Sequence, residues 1–83
     1  MKITFKLYAS LTQYLPPEAE RNMVDIEIED ACTVHAVFER YQVPRKSVQL
    51  VVINGVYVLP EQRDAAIFKA DDVLAVWPPV AGG

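Results

Sequence analysis

Residues 49–59 read QLVVINGVYVL, and the Asn54-Gly55 pair at their centre constrains the fold more than any other feature of this 83-residue chain. An Asn-Gly pair between two β-branched runs is the strongest short-range hairpin signal, because a two-residue turn matching strand twist needs positive φ at both central positions. A lone hairpin is marginal in water, so it needs further strands or a helix to lie against. The rest of the chain supplies them. Ile3, Phe5 and Leu7 alternate with Lys2, Thr4 and Lys6, and Val24, Ile26 and Ile28 alternate with Asp25, Glu27 and Glu29. Both patterns are those of half-buried strands. Lysines on one polar face and carboxylates on the other favour the two as antiparallel neighbours. Between them, Ser10 to Leu15 form a short helical turn that Pro16-Pro17 stop. Thr33 is placed to cap the main helix, whose apolar stripe is Val34, Val37, Phe38 and Tyr41, and Pro44 ends it. Beyond the hairpin, residues 60–72 make a polar loop anchored by Ile67 and Phe68, and DVLAVW supplies the last strand.

This order of strand, turn, strand, helix, hairpin, loop and strand predicts an α+β fold, with a mixed sheet packed on one main helix. Its commonest form is the β-grasp, here a single domain over residues 1–77 followed by a flexible, extended tail over 78–83. A domain of 83 residues buries about 60–65% of its unfolded surface, which leaves little room for an internal active site. With 52% hydrophobic and 23% charged residues it is expected to fold alone. A net charge of −3, with only 8 Lys and Arg spread along the chain, argues against a nucleic-acid partner and suits a basic protein surface. The single cysteine excludes an intramolecular disulfide and a cysteine-cluster metal site. MKITFKLY reads as a strand rather than a signal peptide, and the longest apolar run, broken at Asn54-Gly55, is too short to cross a bilayer. A cytoplasmic protein without a membrane partner is the expectation.

Alternation also populates the face of the sheet away from the helix. With Ile3, Phe5 and Leu7 inward, Tyr8 points out; with Val56 and Val58 inward, Tyr57 points out; with Leu74 and Val76 inward, Val73, Ala75 and Trp77 point out. In β-grasp order the first and last strands are neighbours and the hairpin lies beside the last, so Tyr8, Trp77 and Tyr57 line up as an aromatic patch suited to docking a partner. Behind Trp77 the chain runs Pro78-Pro79-Val80-Ala81-Gly82-Gly83. The prolines set an extended departure, and six residues reach roughly 18 Å at about 3.1 Å each. Gly82 and Gly83 lack Cβ atoms, so the arm is thin enough to enter a narrow channel. Its reactive group is the terminal carboxylate, a poor electrophile until another enzyme activates it. Apart from that group the sequence offers no set of nucleophile, base and orienting residue.

Four more features have ordinary readings. Cys32, at the helix entrance, is a packing residue, and His35, with no second ligand at metal spacing, is a surface helix histidine. Asp25, Glu27, Glu29 and Asp30 either meet a basic partner or make a solvated face. Arg45, Lys46 and Arg63 read as surface charge.

KLYASL, CTVHAV, VVINGVYV and DDVLAVWPPVAGG together resemble the MoaD/ThiS family of ubiquitin-like sulfur carriers, essentially end to end. The Pro-Pro form of the tail is most similar to that of the small subunit of molybdopterin synthase. The resemblance implies that Gly83 is adenylated by an E1-like activating enzyme and converted to a thiocarboxylate, with Gly82 giving access. A large catalytic subunit then takes the sulfur for molybdenum or tungsten pterin cofactor synthesis. Tyr8, Tyr57, Trp77, Pro78, Pro79, Val80 and Ala81 fall where the family docks its partners. It also implies no bound cofactor and no metal, ATP being used by the activating partner. Where the family often has Asp-Gly-Asp before the last strand, this chain has Ala70-Asp71-Asp72, so any positive φ there falls on an aspartate. Three alternatives remain open: a modifier conjugated through Gly83 to lysines, a sulfur carrier for thiamine or tRNA thiolation, and a purely structural subunit using only the aromatic face.

Overall fold

The computed structural model describes residues 1–79. Strands β1 (Lys2–Leu7) and β2 (Met23–Glu27), helix α1 (Val34–Arg40), and strands β3 (Leu50–Ile53), β4 (Val56–Tyr57) and β5 (Val73–Trp77) follow in chain order, with short 3-10 helices at Ala9–Tyr14, Arg45–Ser47 and Pro60–Gln62. The five strands form one mixed sheet in the order β2-β1-β5-β3-β4. β1 and β5 run parallel at its centre, and the other pairs are antiparallel. This is the β-grasp that the element order predicts, with the hairpin beside the last strand.

The core forms where the alternating strands meet the helix stripe. Ile3, Phe5 and Leu7 of β1, Val51 of β3, and Leu74 and Val76 of β5 are fully buried against Val34, Val37 and Phe38 of α1. Each such side chain contributes on the order of 1.5–3 kcal/mol by leaving water. Leu11 closes one end from the Ala9–Tyr14 turn, and Phe68 closes another from the long loop. Of the expected charge pairing, Lys2 Nζ lies 4.0 Å from Asp25, whose Oδ1 also accepts from Thr4 Oγ1 at 2.8 Å, while Lys6 pairs with Met23.

Local turn chemistry accounts for the punctuation. Asn54 and Gly55 have φ of 52° and 82°, both positive as the two-residue hairpin requires. Thr33 accepts the backbone N–H of Ala36 at 3.0 Å, as an N-cap should. Asp71 does carry a positive φ, 68°, and its N–H is held by the carbonyl of Lys2 at 2.8 Å. The buried Asp72 beside it accepts from Asn54 Nδ2 at 2.7 Å and from the N–H of Lys69 at 2.8 Å, while Asn54 Oδ1 accepts the N–H of Val73 at 2.8 Å. The hairpin turn is therefore pinned to the start of β5.

Three expectations need correction. The helix stops at Arg40, before Pro44, because Gln42 adopts a φ of 59° and closes a Schellman motif: the N–H of Val43 bonds the carbonyl of Phe38 and that of Gln42 the carbonyl of Glu39. Val56 does share the helix-side face with its partner Ile53, yet it is 68% exposed instead of buried, since β4 is an edge strand with a neighbour on one flank only; Val58, just past it, enters the core. Of the two loop anchors only Phe68 is buried, and Ile67 remains 37% exposed.

Candidate functional site: an aromatic face at the root of the tail

The register of the central strands builds the outward face in rows. Lys6 pairs with Ala75, Ala75 with Val52, and Val52 with Tyr57. One step along, Trp77 pairs with Leu50, and the N–H of Tyr8 bonds the carbonyl of Val76 at 3.1 Å, which continues β1 alongside β5. Tyr8 and Trp77 consequently stack, with ring centroids 4.4 Å apart and planes within 2°. Such contact covers one face of each ring, so Trp77 is half-buried even without a partner.

Tyr57 does not join that stack. It lies in the neighbouring row, 46% exposed, with Val52 and Leu50 filling the diagonal between it and Trp77. Leu50, 36% exposed, and Val52 thus belong to the face and were missed from sequence. The signal was present in QLVVI: with Val51 inward, its two neighbours must point outward. The face is apolar where it crosses β5, β3 and β4. It turns largely polar across β1 and β2, where Lys2, Thr4, Lys6, Asp25 and Glu27 take over, with the exposed Met23 opposite Lys6.

The tail leaves from the apolar end. The carbonyl of Trp77 accepts the N–H of Gln49 at 2.9 Å, fixing the last strand residue, after which Pro78 is half-buried and Pro79 exposed. Val80, Ala81, Gly82 and Gly83, the residues expected to thread and react, lie outside the described residues.

The remaining sequence candidates fall elsewhere. Cys32 is half-buried, and burial pushes its thiol up from the ordinary value against the opposing pull of Arg40, which leaves it a poor nucleophile at neutral pH. His35 is not a free surface histidine: its side chain is 14% exposed, and its ring nitrogen Nδ1 lies 2.6 Å from Asp64 Oδ1. An ionised carboxylate can only accept, so Nδ1 donates. That bond above all, aided by the charges of His35 and Arg45 and opposed by desolvation, holds the exposed Asp64 carboxyl below its ordinary range. Arg63 is likewise not surface charge. It is buried, its Nη2 reaches the carbonyl of Val58 only at 3.5 Å, and its Nε has no hydrogen-bond partner among the described residues. No three His, Cys, Asp or Glu side chains among the described residues come together as a metal site, and no described helix is long and apolar enough to cross a membrane.

Residues 1–81 match the family described as Mut7-C ubiquitin. No curated protein matches the sequence. Among solved structures, SAMP1 from Haloferax volcanii superposes with a TM-score of 0.67 at 23% identity, covering 100% of each chain. A putative molybdopterin converting factor, subunit 1, from Pyrococcus furiosus gives 0.67 at 23% identity over 95% of this chain and 98% of that one. A second structure of the Haloferax volcanii small archaeal modifier protein 1 gives 0.66 at 20% identity over 95% and 98%. At these identities the structural likeness concerns the fold.

Proposed function

The chain belongs to the Mut7-C ubiquitin family, a ubiquitin-like family that fits the MoaD/ThiS kind, and from this membership we propose that it is a sulfur carrier acting through the carboxyl group of Gly83. The Tyr8–Trp77 stack supports the reading most directly: an apolar face adjoins the strand end after which Pro78 and Pro79 lead toward Gly83. An adenylating enzyme that grips Leu50, Val52, Tyr57 and Trp77 would find the arm leaving from a fixed strand end.

In the proposed chemistry a carboxylate oxygen of Gly83 attacks the α-phosphorus of ATP and pyrophosphate leaves, giving an acyl adenylate. Hydrosulfide supplied by the partner then attacks the acyl carbon and displaces AMP, and loss of its proton leaves a thiocarboxylate. The thiocarboxylate sulfur attacks a pterin precursor of a molybdenum or tungsten cofactor on a larger catalytic subunit, and water then cleaves the acyl C–S bond, leaving sulfur on the pterin and restoring the Gly83 carboxylate. The chain itself contributes position, reach and the electrophile, while its partners contribute ATP and sulfur; the reading places the protein in the cytoplasm. A second reading, conjugation of Gly83 to lysines of other proteins, draws on the small archaeal modifier that shares this fold. Both need the same activated glycine and differ in what attacks it.

Intact mass spectrometry of the protein from its native cell separates them. A species whose chain ends at Gly83 and whose mass has risen by the exchange of one oxygen for sulfur is the expected result. Isopeptide-linked adducts in its place would select the modifier, and a chain that continues past Gly83 would overturn both.

A further inference from the structure

β2 is one outer strand of the sheet, and its parity can be read from its bonds. Ile28 and Met1 exchange both backbone hydrogen bonds, at 2.8 and 2.7 Å, and bonded pairs alternate along an antiparallel ladder. Val24 and Ile26 therefore turn their N–H and C=O groups toward β1, whereas Met23, Asp25 and Glu27 turn theirs to the open edge. Both ends of that edge are occupied: Met23 exchanges bonds with Glu20, and Arg40 Nη1 donates to the carbonyl of Glu27. Among the described residues nothing pairs with the N–H or C=O of Asp25 or with the N–H of Glu27. Beside this gap, on the helix side, runs a groove of about 620 Å³. Ile28, Ala31, Cys32 and Ala36 line it together with the charged Glu27, Glu29 and Arg40.

We propose that the β2 edge accepts an extended segment of a partner protein as a sixth strand, and that this segment alternates basic with apolar residues. In an added strand every second side chain stands beside Asp25 and Glu27 on the outward face, and the others lie over the groove between β2 and α1. Charge selects the occupant. Asp25, Glu27, Glu29 and Asp30 are all exposed along this flank, so a strand bearing lysine or arginine meets opposite charge. A second copy of β2 would set carboxylates directly against carboxylates, which disfavours self-pairing across the same edge. The Glu27 carbonyl has two lone pairs and can accept a strand N–H while keeping Arg40. β1 separates this edge from the apolar part of the outward face, so both surfaces can be occupied at once.

The test is titration of the isotope-labelled protein with the peptide acetyl-Lys-Val-Arg-Val-Lys-Val-amide, followed through backbone amide shifts. Shifts should concentrate at Asp25, Glu27 and the Cys32–Ala36 stretch, and affinity should fall as salt is raised. Methylating alternate peptide nitrogens keeps the charge but removes the ladder, and should weaken binding by about tenfold or more. The Asp25→Asn/Glu27→Gln double variant keeps its backbone edge and should lose a similar factor. Equal binding of the methylated peptide, shifts confined to the Trp77 face, or no shifts at millimolar peptide would each overturn the proposal.

Discussion

Gln42 holds a backbone position that glycine occupies more comfortably. Its φ of 59° completes the Schellman bonds that stop α1, and a side chain in this left-handed region is crowded against its own carbonyl. Gln42→Gly should stabilise the protein by about 0.5–1 kcal/mol, even though it gives the unfolded chain more freedom. An upward shift of the urea midpoint at unchanged slope would show this, and a downward shift would mean that the Gln42 side chain itself supports the cap. Asp64 makes a different residue-scale prediction. Its carboxyl is held below the ordinary 3.8 in the folded state by the bond from His35, so the stabilisation is present at pH values above 3.8. It is lost as pH falls through the lowered folded value. Asp64→Asn should therefore be less stable than the parent near neutrality and converge with it in strong acid. A stability difference independent of pH across that range would contradict the assignment.

At the scale of elements, most of the fold was legible because its determinants are local. Period-two alternation gives β1 its buried face, Asn54-Gly55 gives the hairpin its turn, and Thr33 gives α1 its start. What escaped depends on distant packing. The exposure of Val56 follows from β4 being outermost, which no residue within β4 encodes. Arg63 and Asp64 are adjacent in sequence, yet one is buried beneath the carbonyl of Val58 and the other reaches back to His35, a contact spanning 29 residues. The aromatic face was half legible: alternation put Tyr8 and Trp77 on one side, but the register that stacks them and shifts Tyr57 by a row comes from strand pairing. That stack supports a prediction about β5. Trp77→Ala removes the centre of the proposed docking face and should weaken binding of the activating partner by about 2 kcal/mol or more. The cost to folding should be smaller, because Trp77 is half-buried while Leu74 and Val76 carry the core. Calorimetric titration set beside thermal melts would check both; a large stability loss with unchanged affinity would place Trp77 in the core's service instead.

At the scale of the whole molecule, the proposed function divides between one surface that grips and one arm that reacts. Val80 to Gly83 lie outside the described part of the chain, and their proposed role is a chemical one. ATP–pyrophosphate exchange, catalysed by the cell's adenylating enzyme and run with the 83-residue protein, measures that chemistry directly. Misplacing a reacting carbon by about 1 Å can cost on the order of 100-fold in rate, and deletion of Gly83 withdraws the carboxylate by roughly 3 Å. Gly82→Val keeps the length but thickens the arm. Both variants should fold and still bind the enzyme through the Tyr8–Trp77 face, while exchange falls by about 100-fold or more. Exchange at the parent's rate in both would contradict the claim that Gly83 carries the function.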